Sequence, residues 1–119
     1  MNVCIVGDGL VSLTLAKALI NVGIYVDVFS DQKINRFGQS RTIGISKENV
    51  EFLNSDVMDI KKLVWEINQI EIYTEKLKDE KLLKFENNKK ELFSIVKNDQ
   101  LYDSLVLSLA KSKFYKKKK

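Results

Sequence analysis

Asn2–Val6 opens the chain with an almost unbroken apolar run, the pattern of a parallel strand covered on both faces. The period then changes. Leu10, Leu13, Ala16 or Lys17, and Ile20 recur at helical spacing and Gly23 supplies a stop, which predicts a helix over Leu10–Val22. Ile24–Phe29, IYVDVF, alternates and is β-branched, so it reads as a second strand. Strand, glycine turn, helix and strand within about 30 residues form a βαβ unit, for which a right-handed crossover is expected. The expected fold class is α/β, a Rossmann-like unit with additional β-strands.

Beyond it, Asp31–Ser40 reads as a polar loop, and Ser46 is placed to cap a helix carrying Val50, Phe52 and Leu53. INQIEIYTE, residues 67–75, alternates at period two and pairs with EKLLKFEN, residues 80–87, across the charged turn KLKDE. ELFSIV offers a third short strand. A final helix from Asp99 to about Ser112 carries an apolar stripe of Leu101, Leu105, Val106 and Leu109. The expected organisation is a βαβ unit about 1–30, a loop and helix about 31–60, strands about 66–96, a helix about 98–112 and a basic tail 113–119.

Composition narrows the chemistry. A chain of 119 residues, 45% hydrophobic, builds one domain with a real core. It has no histidine, which excludes an imidazole base, a His-ligated metal and a Ser-His-Asp triad. Cys4 is the only cysteine, so no internal disulfide forms; its apolar neighbourhood suggests a buried small hydrophobe in a reduced, cytoplasmic setting. No apolar stretch approaches the roughly 20 residues of a membrane span, and no basic region precedes the first apolar run, so no signal peptide is expected.

Charge is uneven along the chain. Met1–Ile60 carries 5 basic and 7 acidic residues, whereas Lys61–Lys119 carries 15 and 9. Much of the excess lies in KSKFYKKKK, which reads first as a solvated or frayed end. Its alternative use is contact with nucleic acid or anionic lipid, with only Phe114 and Tyr115 available for stacking.

Gly7-Asp8-Gly9-Leu10-Val11-Ser12 sits between strand and helix, the context a nucleotide-binding turn requires. Gly7 permits the tight turn and Gly9 a close approach of backbone to a pyrophosphate, while the helix N-terminus offers free N–H groups and its positive dipole end. Ser12 replaces the usual third small residue and is itself small. Asp8 would repel a pyrophosphate unless its side chain points outward to solvent. At the end of the second strand, where an acidic residue receives the ribose, the sequence has Ser30 followed by Asp31. No arginine follows directly, which disfavours a 2′-phosphate and hence NADP.

Three segments together resemble the FAD-dependent aromatic-ring hydroxylases, and among them the ubiquinone-biosynthesis type: CIVGDGLVSLTLAKAL, SRTIGIS and SIVKNDQLYDSLVLSL, in that order. The resemblance implies an FAD-binding unit, incomplete relative to the family fold. It implies that Gly7, Gly9 and the amides of Leu10 and Val11 hold the pyrophosphate, and that Ser30, assisted by Asp31, faces the adenosine ribose. Arg41 would lie near the flavin and its phosphates. Asn98 stands where many relatives have arginine. Each also has a plain structural reading: Arg41 as a surface arginine, Asn98 as a helix-start residue, Asp31 as a loop residue.

The resemblance further implies FAD as cofactor, NAD(P)H as a reductant, and an aromatic small-molecule substrate, a polyprenyl phenol. It covers nearly this whole chain but only the N-terminal portion of the family, with SKFYKKKK falling where the family's next parallel strand begins, so the expectation is a truncated form, inactive alone, lacking the substrate domain and served by a missing C-terminal portion or a completing polypeptide. A cytoplasmic protein with room for peripheral contact at the inner membrane surface, and no nucleic acid partner, follows from the same reading. No catalytic or metal-ligating residue is assigned. The rivals are another FAD- or NAD-dependent Rossmann unit and a non-enzymatic basic interaction module.

Overall fold

The computed structural model describes residues 1–31, 41–73, 75, 81–86 and 92–119. Chain order runs β1 (Asn2–Val6), α1 (Leu10–Asn21), β2 (Tyr25–Phe29), β3 (Thr42–Ser46), α2 (Lys47–Phe52) with a π-helical turn Leu53–Val57, then β4 (Val64–Ile67), β5 (Gln69–Tyr73), β6 (Lys81–Glu86), β7 (Phe93–Lys97), α3 (Asn98–Ala110) and β8 (Tyr115–Lys118). β1, β2 and β8 form a parallel sheet in that order. β3, β7 and β4 form an antiparallel sheet with β7 central, and β5 pairs antiparallel with β6.

The parallel sheet follows from the period change read above. In β2, Val26 and Val28 point one way and are buried, while Tyr25, Asp27 and Phe29 point the other. Helix α1 buries Leu13, Ala16 and Ile20, and α3 buries Leu101, Leu105 and Leu109, at spacings that put each trio on one face. α1 packs on α3, β1 and β2, and α3 packs on β8, so both helices cover the face carrying Ile5, Val26 and Val28. Burying each leucine, isoleucine or valine of this set stabilises the fold by roughly 1.5–3 kcal/mol relative to leaving it in water. Gly23, at φ +81°, ends α1 in the left-handed conformation.

The second layer is tied to the first by its helix. Ser46 caps α2, its hydroxyl accepting from the Asn49 N–H at 3.2 Å, as its position predicts. Asn21, the last residue of α1, donates its side-chain amide to the carbonyls of Asp56 at 2.9 Å and Val57 at 2.8 Å, fastening the π-helical turn to α1. In β3, Gly44 lies against the Phe93 ring, where an added Cβ would make ordinary contact at 3.4 Å.

Three expectations need correction. β1 is covered on one face only, because among the described residues nothing packs opposite α1, so Val6 is 84% exposed. For the same reason Cys4 is an exposed thiol, not a buried hydrophobe. Nor does the basic segment fray, since four of its residues form β8. The free edge of β2 needs partners for its backbone groups, and β8 meets that need: Val26 N–H donates to the Phe114 carbonyl at 2.8 Å and Ser30 N–H to the Lys118 carbonyl at 3.0 Å. Residues 32–40 of the expected loop and the turn 76–80 lie outside the described residues.

Candidate nucleotide site

The carboxyl ends of β1 and β2 meet at the glycine turn. Gly7 donates its N–H to the Phe29 carbonyl at 2.7 Å, which pins the turn to the end of β2. Its φ of +108° is a conformation L side chains rarely adopt, and an added Cβ would stand 3.4 Å from Ser12 Oγ. Ser12 thus fits against Gly7 because both are small. Gly9 is the N-cap of α1, and an added Cβ there would meet nothing within 4 Å. That open space lies at the helix start, where a ligand can come close to backbone.

No side chain caps α1, and its first turn holds no acidic residue. The Leu13 N–H bonds back to the Gly9 carbonyl at 3.0 Å, while the N–H groups of Leu10, Val11 and Ser12 have no partner within the helix. Three convergent donors with the dipole behind them suit an anion. Val11 is exposed beside them.

Ser30, immediately after β2, is buried at 7% exposure, and its Oγ has no hydrogen-bond partner. A buried hydroxyl left unpaired costs roughly 1–3 kcal/mol, which a ligand hydroxyl would relieve. Asp31, one residue on, is exposed. The structure therefore puts the inward polar group of this strand end at Ser30.

Arg41 and Asn98 come together at a second point. Arg41 precedes β3, is exposed, and its carbonyl accepts the Asn98 N–H at 2.7 Å. Asn98 begins α3, and its Oδ1 is buried without a partner. An apolar groove of about 450 Å³ is lined by Leu10, Val11 and Thr14 of α1, Ile43 and Gly44 of β3, and Leu101 of α3 among others.

Asp8 does not take the outward orientation that would spare a pyrophosphate its charge. Its side chain does not point to solvent: the residue is 6% exposed, and its Oδ2 lies 4.0 Å from Lys117 Nζ on β8. Sequence reasoning missed this lysine because it read the basic segment as tail. The available signal was Asp8 itself, since a carboxylate inside an anion-binding turn calls for a cation nearby. Tyr115, also on β8, has its phenol pKa raised by burial, then by Tyr102 and Asp8.

No family model matches the chain, and no curated protein matches it either. Solved structures do. The chain is similar to HpxO of Klebsiella pneumoniae, solved with FAD and uric acid, at 17% identity and a TM-score of 0.73, over 98% of this chain and 30% of that one. PqsL of Pseudomonas aeruginosa, in complex with 2-aminobenzoylacetate, matches at 14% identity and a TM-score of 0.79, over 99% and 33%. The 2,6-dihydroxypyridine-3-hydroxylase of Arthrobacter nicotinovorans matches at 21% and 0.67, over 99% and 28%.

The fold is therefore the mixed α/β arrangement of the FAD-binding part of flavin monooxygenases. The chain spans about a third or less of the length of these structures. FAD fits the residues present at its adenosine diphosphate end: an uncapped helix start, open space at Gly9 and an orphaned hydroxyl at Ser30. Among the described residues, no helix is long and apolar enough to cross a membrane.

Proposed function

We propose that the chain is the FAD-binding segment of a flavin-dependent monooxygenase that hydroxylates an aromatic ring. The observation that carries this reading is the free donor set at the start of α1 beside the partner-free Ser30 Oγ, on a fold shared with FAD-bound HpxO. The amides of Leu10 and Val11 bind the pyrophosphate, Gly7 and Gly9 let it approach, and Ser30 accepts or donates to the adenosine ribose, with Asp31 at its rim. Arg41 and Asn98 orient the flavin side, the guanidinium offsetting phosphate charge and the Asn98 Oδ1 gaining the partner it lacks. The apolar groove lined by Leu10, Val11 and Thr14 flanks the start of α1.

When bound and reduced by NAD(P)H, FAD would supply the oxygen chemistry, while the protein would supply binding and orientation. The substrate is an aromatic small molecule, and the likeness of SRTIGIS to the ubiquinone-type hydroxylases favours a polyprenyl phenol. Such a substrate favours a cytoplasmic protein in peripheral contact with the inner membrane surface. Walls around the flavin ring come from a C-terminal portion or a completing polypeptide, so the chain alone is inactive. A nucleic-acid role is disfavoured because Lys117 and Lys118 face Asp8 and Asp27.

Calorimetric titration of the folded chain with FAD, ADP and NAD tests the reading. Saturable heats with FAD and ADP but not NAD are expected, together with weakened FAD binding in Arg41→Gln. Binding of NAD alone, or indifference to Arg41, points to a generic Rossmann unit. Oxygen consumption with NAD(P)H by the isolated chain would refute its inactivity.

A further inference from the structure

Resting on the nucleotide-binding reading above, the geometry points to a further residue of the phosphate site: we infer that Lys117 is a positioning residue that neutralises Asp8 and so lets the Gly7–Gly9 turn accept a diphosphate. Asp8 occupies the middle of that turn and is almost entirely buried, so water screens it poorly. A carboxylate a few ångströms from a bound phosphate at an effective dielectric near 20 opposes binding by on the order of a hundredfold. Lys117 reaches Asp8 Oδ2 from β8 with Nζ at 4.0 Å.

The neighbouring lysine shows that this is a matter of place. Alternation along β8 sends Lys117 and Lys118 to opposite faces. Lys118 pairs with Asp27 at 3.4 Å and lies over the Phe29 ring at 5.8 Å, on the open face of the sheet. Lys117 is in register with buried Val28 and stands on the side of the glycine turn. Its side chain is 43% exposed, so the pair contributes little to folding. The effect of Lys117 therefore falls mainly on the anion that Asp8 would repel.

The test is calorimetric titration of the full chain and its variants Lys117→Gln, Lys117→Arg, Asp8→Asn, Asp8→Asn/Lys117→Gln and Lys118→Gln with adenosine, AMP and ADP. Circular dichroism checks that each variant is folded. Lys117→Gln is expected to weaken ADP about tenfold, AMP less and adenosine not at all, because only phosphate charge senses the change. Lys117→Arg and Lys118→Gln should bind ADP as the unaltered chain does. In the double variant, ADP affinity should return to within about threefold of Asp8→Asn, since the charge to be neutralised is gone.

Unchanged ADP binding by Lys117→Gln overturns the inference. So does an equal loss for adenosine and ADP, the mark of a structural role, or a double variant as weak as Lys117→Gln. Absence of ADP binding by the unaltered chain overturns the nucleotide-binding reading itself, and the inference with it.

Discussion

The two faces of the parallel sheet are built from the same strands and have opposite fates. On one, Val26 and Val28 lie under α1 and α3 with essentially no exposure. On the other, Cys4, Tyr25 and Val6 face outward, and Asp27 and Lys118 pair across the strands. An apolar run such as VCIV does not by itself say how many of its faces are covered. The alternation of YVDVF does, because Asp27 in mid-strand marks the side that no described helix covers.

The strongest challenge to this contrast is a matched pair of truncations. Leu13→Ala, on the covered side, should cost about 3 kcal/mol in urea unfolding, and Val6→Ala, on the open side, less than about 0.5 kcal/mol. Equal costs would mean that something covers both faces in solution. Gly7→Ala, at the junction of the two, should cost about 1–3 kcal/mol from its positive φ and also weaken ADP, which denaturation and titration read separately. Chemical labelling sharpens the contrast without a mutation. Cys4 should react fully with a thiol reagent in the native chain, and protection would show its face to be covered.

The smallest effect concerns pH. The Tyr115 phenol titrates above its ordinary 10.0 in the folded chain, so the folded state keeps that proton to higher pH than the unfolded one. Stability therefore falls as pH rises above about 10, and the decline stops once the folded phenol has ionised. Tyr115→Phe should lack this part of the alkaline loss, measurable as a flatter dependence of the urea midpoint on pH.

Local patterning explains why some of this was legible. The βαβ unit shows in the switch from period two to helical spacing, the α2 start in Ser46, and the phosphate turn in the glycines flanking Asp8. Other elements depend on distant partners. β3 carries a clean alternation, Ile43 and Ile45 against Thr42, Gly44 and Ser46, but it is short and runs straight into the cap of α2, and its partner β7 lies about 50 residues further along the chain. β8 is visible only through the resemblance, which places a parallel strand at SKFYKKKK; the residues themselves do not announce it, since three of its four are lysines and they are extended because β2 offers an edge. The burial of Asp8 was unreadable for the same cause: its cation arrives on β8.

Pairing of β2 with β8 also sets an order of events during synthesis. β1, α1 and β2 leave the ribosome together, but Phe29 must wait for a partner more than 80 residues further along the chain. At roughly 5–20 residues per second, that edge stays unpaired for on the order of 4–17 seconds. A nascent chain with a hydrophobic parallel strand open for so long is a natural client for a chaperone, and β2 is the segment on which such protection would act.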